Sequence, residues 1–339
     1  MIKLRNILSI MGTVLCTALM IITSTSCDGI YDDLQPCPQG VRLRFVYDYN
    51  MEFANSFHKK VDCVTLYIFN EKGEYLSQVV ETSDALADEN YRMLLDLDKG
   101  NYRLVAYGGL ACEEHAFSVV TPSDISRASH YTQLQVAMDM DKLGTSLHGF
   151  YYGTLEVTVG GNDYVDATLG LMKNTNNIRI MLQQVNADVP LDVNDFAFAI
   201  ADDNTLFAHD NALIPNGVVE YSPWTQGMAE VGSEGEGEDA QVARVAFAEL
   251  STSRLVKRAD YAPRLRIVNR ETGKDVVNIP LINYLLLLKS ELYADMGAQE
   301  FLDRESEWSL LFFLNKDGSW LRTQIVINDW VVRLNETDF

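Results

Sequence analysis

The residues with the most definite chemistry stand at the start of the chain. Lys3 and Arg5 precede a mostly apolar run over residues 7–22, which gives way to Ser24-Thr25-Ser26-Cys27. A membrane-spanning helix needs about 20 apolar residues. This run is shorter, holds Gly12 and Thr13, and ends in small residues, which is the pattern of a secretory signal. A signal that ends directly on cysteine specifies lipidation. The Cys27 thiol takes up a diacylglycerol, the bond between Ser26 and Cys27 is cut, and the new amine is acylated. Two or three acyl chains, at about 0.8 kcal/mol per buried methylene, hold a soluble domain stably on a bilayer. Ser24 stands where a large aliphatic residue is usual, and ordinary secretion with cleavage nearby is the alternative. No cofactor is expected beyond that covalent diacylglycerol and N-acyl lipid.

Other reactive residues are scattered. His58, His115, His130, His148 and His209 show neither an HExxH pattern nor zinc spacing with cysteine. No GxSxG elbow, P-loop or GxGxxG follows a strand. Asp139-Met140-Asp141-Lys142-Leu143-Gly144 resembles the opening of a calcium loop, but Leu143 replaces an oxygen ligand and Phe150 stands where the bidentate glutamate belongs. Three cysteines besides Cys27 survive signal removal: Cys37, Cys63 and Cys112. Export permits disulfides. Cys37 (in Pro-Cys-Pro) and Cys112 (after Gly108-Gly109) lie in turn-like contexts, so the pair expected is Cys37–Cys112, with Cys63 a small core residue. Neither an enzyme nor a small-molecule substrate is expected.

With 27 Lys+Arg against 48 Asp+Glu, the formal net charge of the 339 residues is −21. Such a chain cannot gather the clustered cations that phosphate contacts need, so nucleic acid is excluded as a partner. At 47% hydrophobic and 10% aromatic it has ample material for packed cores.

The dominant period is two. Val41, Leu43, Phe45, Tyr47 and Tyr49 alternate with Arg42, Arg44, Asp48 and Asn50, as in a half-buried strand. Residues 64–69 run into Asn70-Glu71-Lys72-Gly73, a hairpin turn, and residues 102–107 form another strand after Lys99-Gly100-Asn101. Short strands with Gly, Asn and Asp turns recur to the end of the chain, which indicates β-sandwiches rather than a parallel sheet. Helical signal is confined to residues 281–293 and, more weakly, 83–95. Residues 232–239 alternate Gly and Ser with acids and read as a solvated loop. The expected organisation is a signal at 1–26, a linker at 27–40, one sandwich at 41–172 and a second at 173–339.

In the final segment Ile325 and Ile327 share one parity, while Trp330, Val332 and Leu334 share the other. A slip of one residue reverses the face of every later side chain unless the strand bends there. Two readings follow: these residues form a strand donated to a neighbour, or both halves finish the second sandwich.

Several strings together resemble the FimB-like anchor subunits of Bacteroidales type V fimbriae. They are Cys27 followed by Pro36 to Asn50, the strand at 64–69, and Lys99 to Gly109. Later come His148-Gly149-Phe150-Tyr151-Tyr152-Gly153, Leu171 to Ile178, Thr252-Ser253-Arg254-Leu255 and Gln299-Glu300-Phe301-Leu302-Asp303-Arg304. The resemblance implies an all-β fold of two tandem transthyretin-like antiparallel sandwiches with few short helices. It further implies lipid attachment to the outer membrane, a fimbrial stalk subunit as partner, and a place at the base of the polymer. An anchor of this kind keeps the first strand, here Val41, Leu43, Phe45 and Tyr47, although Arg42 and Arg44 are protease sites by residue type. A surface adhesin or tip subunit that binds glycan or host protein is the competing expectation.

Overall fold

A computed structural model describes residues 39–126, 129–161, 163–184, 191–234, 241–327 and 330–334. Ser26, Cys27 and Cys37 lie outside the described residues. The first sandwich faces a three-stranded sheet against a five-stranded one. The smaller sheet has the order β4 (Met93–Asp96), β1 (Gly40–Val46), β9 (Tyr164–Gly170). The larger runs β10 (Met172–Lys173), β8 (Tyr151–Val159), β5 (Gly100–Gly108), β2 (Val64–Asn70), β3 (Tyr75–Glu81). Strand β1 is the middle strand, antiparallel to β4 and parallel to β9 over Gly40–Val46. Its residues Val41, Leu43 and Phe45, with Tyr47 just beyond, are 0–4% exposed and pack with Leu66, Ile68, Leu104 and Leu169.

Strand β2 is buried on both faces from Val64 to Phe69, which is why its sequence is a continuous apolar run and not an alternation. A third small sheet covers the outer face: β13 (Leu206–Phe207), β7 (Gln135–Met138), β6 (Phe117–Thr121). Phe117 stacks on Phe150 at 4.4 Å beneath it. Because β13 comes from the later half of the chain, one core cluster runs from Tyr67 and Tyr107 to Ile178 and Phe312.

The second sandwich sets a six-stranded sheet against a four-stranded one. The six-stranded order is β15 (Thr225–Glu234), β16 (Gln241–Ser253), β11 (Thr175–Gln184), β19 (Glu307–Leu314), β20 (Trp320–Ile327), β21 (Trp330–Leu334). The four-stranded order is β14 (Val219–Tyr221), β12 (Phe196–Asp202), β17 (Arg264–Asn269), β18 (Asp275–Pro280). Most pairings are antiparallel, but β11 and β19, like β1 and β9, run parallel. Among the described residues the α-helices are short: α1 (Phe57–Lys60), α2 (Leu281–Leu286) and α3 (Ala298–Arg304). None is long and apolar enough to cross a membrane.

Three expectations are corrected. Residues 83–95 form a 3-10 turn at Asp84–Ala87 and then β4, because Met93 and Leu95 alternate with Leu94 and Asp96 and fill the first core. The helix expected over 281–293 stops at Leu286, and Glu291–Tyr293 is a separate 3-10 turn. The disulfide joins Cys63, not Cys37, to Cys112, with Cα atoms 5.4 Å apart. The reason is register. Val64 on β2 lies opposite Gly108 on β5 and the Gly109 N–H donates to the Cys63 carbonyl, so the residues flanking these two strand ends are brought together. Turn-like surroundings carried no such information. Replacing Cys63 and Cys112 by serine is expected to lower unfolding free energy by about 2–4 kcal/mol, read from urea denaturation of oxidised wild type against the double variant.

At the C-terminal end, Ile327 pairs with Trp330 and Ile325 with Val332 in a β20–β21 hairpin. The antiparallel pairing of β20 with β21 reverses the chain between the two parities. Strand β21 is the outer edge of the six-stranded sheet.

Candidate functional site: the junction of the two sandwiches

Five of the separated strings noted above meet where the two sandwiches touch. Asn174 and Asn211 exchange side-chain hydrogen bonds of 2.8 and 3.0 Å, both buried. Asn211 has φ +67°, a left-handed conformation that asparagine adopts more readily than most residues. The Asn174 N–H donates to the Phe150 carbonyl at 2.7 Å. Asn176 donates to the Ser253 carbonyl and accepts from the Trp308 indole N–H.

Arg254 and Asp303 form the strongest element of the junction. Nε and Nη2 donate to the two carboxylate oxygens at 2.8 Å each, and Nη1 donates to the Asn211 carbonyl at 2.9 Å. Gln299 Nε2 donates to Asp303 Oδ1 and to the Leu255 carbonyl. The pair is largely buried, with side chains 15% and 6% exposed, and two-pronged geometry of this kind is what planar guanidinium and carboxylate groups favour.

The loop after β1 reaches the same place. Asn50 Nδ2 donates to the Tyr47 and Ala54 carbonyls, and Asn55 Oδ1 accepts from the Tyr47 and Phe57 N–H groups. That local wiring ends β1 and holds Tyr49 and Phe53 outward. The Arg304 guanidinium from α3 lies 4.1 Å from the Tyr49 ring centroid and 4.7 Å from that of Phe53. It also donates to Glu300 at 2.8 Å and toward the Asp48 and Asn50 carbonyls.

Beside this, Lys173 Nζ lies 3.2 Å from Glu307 Oε1 and donates to Ser306 Oγ. Burial pulls the Lys173 ammonium below the usual lysine range, against the raising effect of Glu307. Burial also pushes Glu305 up and the Tyr47 phenol up to about 12. On the neighbouring β12 end, burial pushes the Asp202 carboxyl up to about 7, although the Asp203 N–H and the Arg258 guanidinium at 3.3 Å favour its ionised form. A raised carboxyl binds its proton in the folded state where the unfolded chain has lost it. Stability from this group is therefore present below about pH 4 and falls as pH rises through 7, by at most about 1.4 kcal/mol per pH unit. Asp202→Asn is expected to remove that slope, so that the stability of the variant relative to wild type improves between pH 4.5 and 7.5 in urea titrations. Parallel pH curves would refute the assignment.

These groups link and hold: the Lys173 ammonium, paired with Glu307, donates to Ser306 Oγ and ties two elements together. Of the histidines, His130 bridges the Lys72 carbonyl and Thr132, and His148 contacts Asp62 at 3.0 Å. Among the described residues the one metal-like grouping is Asp62, Cys63 and Cys112, whose two sulfurs are joined to each other. The retained-strand residues Val41, Leu43, Phe45 and Tyr47 are gathered into the first core. The β20–β21 segment with Ile325, Ile327, Trp330, Val332 and Leu334 lies at the far edge of the second sandwich and not in the junction. Sequence reasoning missed the Arg254–Asp303 and Arg304–Tyr49–Phe53 contacts, although the strings that contain four of these five residues were singled out.

Paired β-sandwiches locked through a polar junction define an all-β structural protein. The chain belongs to the family of fimbrillin-A associated anchor proteins, whose family model matches residues 34–336. It is similar to a candidate adhesin from Bacteroides thetaiotaomicron at 52% identity, covering 89% of this chain and 100% of the other with a TM-score of 0.82. A candidate polysaccharide-binding protein from the same species is 31% identical over 88% of this chain and 100% of its own, with a TM-score of 0.73. The fimbrial anchor protein Mfa2 from Porphyromonas gingivalis shares the fold at 16% identity and a TM-score of 0.62, over 88% of this chain and 100% of its own. No curated protein sequence matches the chain. The family is one of fimbrial anchor and adhesin-like proteins of the cell surface, not an enzyme class.

Proposed function

We propose that the protein is the base subunit of a fimbria, held to the outer membrane by the lipid on Cys27 and joined to the first stalk subunit by its second sandwich. The observation that carries this reading is the place of β1. It starts at Gly40, a short tether from Cys27, and is hydrogen-bonded on both sides as the middle strand of its sheet. The tether, at most about 45 Å long, thus leads straight into the fold, and the first strand cannot be lost without losing the first core. The junction then ties the second sandwich to that strand. The unpaired edge of β21 supports strand exchange with the stalk, since an edge gives main-chain hydrogen bonds and alternate side chains give register. A base fixed in the membrane also limits fimbrial length and shedding.

Cys27→Ala is expected to move the protein, still folded, from the outer-membrane fraction to the medium, with fimbriae shed alongside it. Fractionation followed by intact-mass measurement of the N-terminus checks this. Retention of the variant in the outer membrane with fimbriae still on the cells would overturn the reading.

Glycan binding is the second reading, favoured by a cleft of about 450 Å³ lined by Tyr102, Tyr131, Asn101, Arg103 and Glu156. However, Arg103 lies over the Tyr131 ring at 4.3 Å and pairs with Glu156. That ring is therefore not an open stacking platform, and the anchor reading stands ahead.

A further inference from the structure

The edge of a sheet is a row of unpaired N–H and C=O groups, which proteins guard with charge, proline, bulges or short strands. Among the described residues, the edges here are guarded except for β21, proposed above as the stalk contact, and β3. β10 and β13 have two residues each, β14 has three and β4 has four. β9 carries Asp166, ion-paired with Arg42. β15 carries Gly227 and Glu230 and a register shift, and β18 begins at Asp275 and ends at Pro280. β6 has a register shift and is followed by Pro122.

Strand β3 differs. It is seven residues long, and from Leu76 to Val80 it has no charge, proline or glycine. Its first residue is covered, since the Tyr75 N–H donates to the Ser129 carbonyl at 2.9 Å. Beyond that, no backbone hydrogen bond leaves its outer edge among the described residues. Leu76 and Val80 are 40% and 45% exposed, and Ser77 and Gln78 are exposed between them. Carboxylates bracket this stretch at Glu74 and Glu81, and hydrogen bonds from Ser83 hold Glu81 below the usual carboxylate range.

We propose that β3 accepts an extended segment of a partner protein as a sixth strand of the five-stranded sheet, the segment having alternate apolar residues and a basic residue at each end. Main-chain pairing along Ser77–Val80 would supply affinity, Leu76 and Val80 apolar contact, and the two carboxylates orientation. The charge argues against a second copy as the occupant, because a chain of net charge −21 repels itself. This surface is on the sandwich nearest the tether, apart from β21, so it does not depend on the stalk contact proposed above.

The test uses the full chain and a synthetic peptide, Lys-Val-Thr-Val-Thr-Val-Lys, with amide hydrogen exchange as the readout. Saturating peptide is expected to slow exchange roughly tenfold within residues 76–81 and to leave β18 unchanged. Val80→Lys, at an exposed position, is expected to keep the thermal midpoint and lose the protection. Three results would each overturn the proposal: no protection at β3, equal protection at β18, or protection that survives Val80→Lys. Self-association of the peptide-free chain through β3 in sedimentation would overturn the choice of partner.

Discussion

Phe45→Asp is expected to leave the first sandwich unfolded. Phe45 is 2% exposed on β1 and stacks on Phe57 at 5.5 Å between ring centroids. Removing it forfeits about 1.5–3 kcal/mol of burial, and an aspartate there either ionises without a partner or binds a proton, at a further cost of several kcal/mol. Against a typical total of about 5–15 kcal/mol, that sum consumes most of the stability of the domain. Phe45→Leu, which keeps an apolar side chain, is expected to cost far less. Circular dichroism and urea titration separate these outcomes. A cooperative transition for Phe45→Asp within about 1 kcal/mol of wild type would show that β1 is dispensable, which an anchor built on that strand does not permit.

Arg254→Ala is expected to cost about 3–5 kcal/mol, the usual result of leaving one member of a buried ion pair unpaired. The Asp303 carboxylate would keep only Gln299, and the Asn211 carbonyl would lose its donor. The Arg254→Ala/Asp303→Ala double variant is expected to be destabilised by less than the sum of the two singles, since no charge is then stranded. Additive costs in urea titrations of the four proteins would mean that the pair is not a coupled unit. A lower cost for Arg254→Lys is not expected, because lysine cannot reproduce two parallel donors.

The sandwich architecture was legible because half-buried strands write their period directly into sequence. Val41, Leu43 and Phe45 alternate with arginines, and the core takes the apolar set. The both-sided burial of β2 was legible as an unbroken apolar run, though not the identity of its cover, since β13 arrives from more than a hundred residues away. Residues 83–95 misled because four residues of alternation, Met93 to Asp96, are too few to outweigh a neighbouring helix-like pattern. The disulfide was misread because pairing depends on strand register, which the surroundings of a single cysteine do not encode. The slipped parity at 328–329 had two geometric explanations, and the antiparallel pairing of β20 with β21 on either side of it favours a chain reversal. The junction was the least legible part. Arg254, Asp303, Asn174 and Asn211 are polar residues whose burial is decided only when two sandwiches meet, and nothing local distinguishes them from solvated ones.

The parallel pairing of β1 with β9 has a mechanical consequence. Tension applied from the N-terminal side would enter at Gly40 and act along the strand axis, while the hydrogen bonds to β4 and β9 lie across it. The strand is therefore loaded in shear, and its bonds must yield together instead of opening one after another from an end. At the far end of β1, the grip of Tyr49 and Phe53 on Arg304 hands the pull to the second sandwich. Strands β4 and β9 share that load through their hydrogen bonds to β1, while the facing five-stranded sheet carries none of it directly.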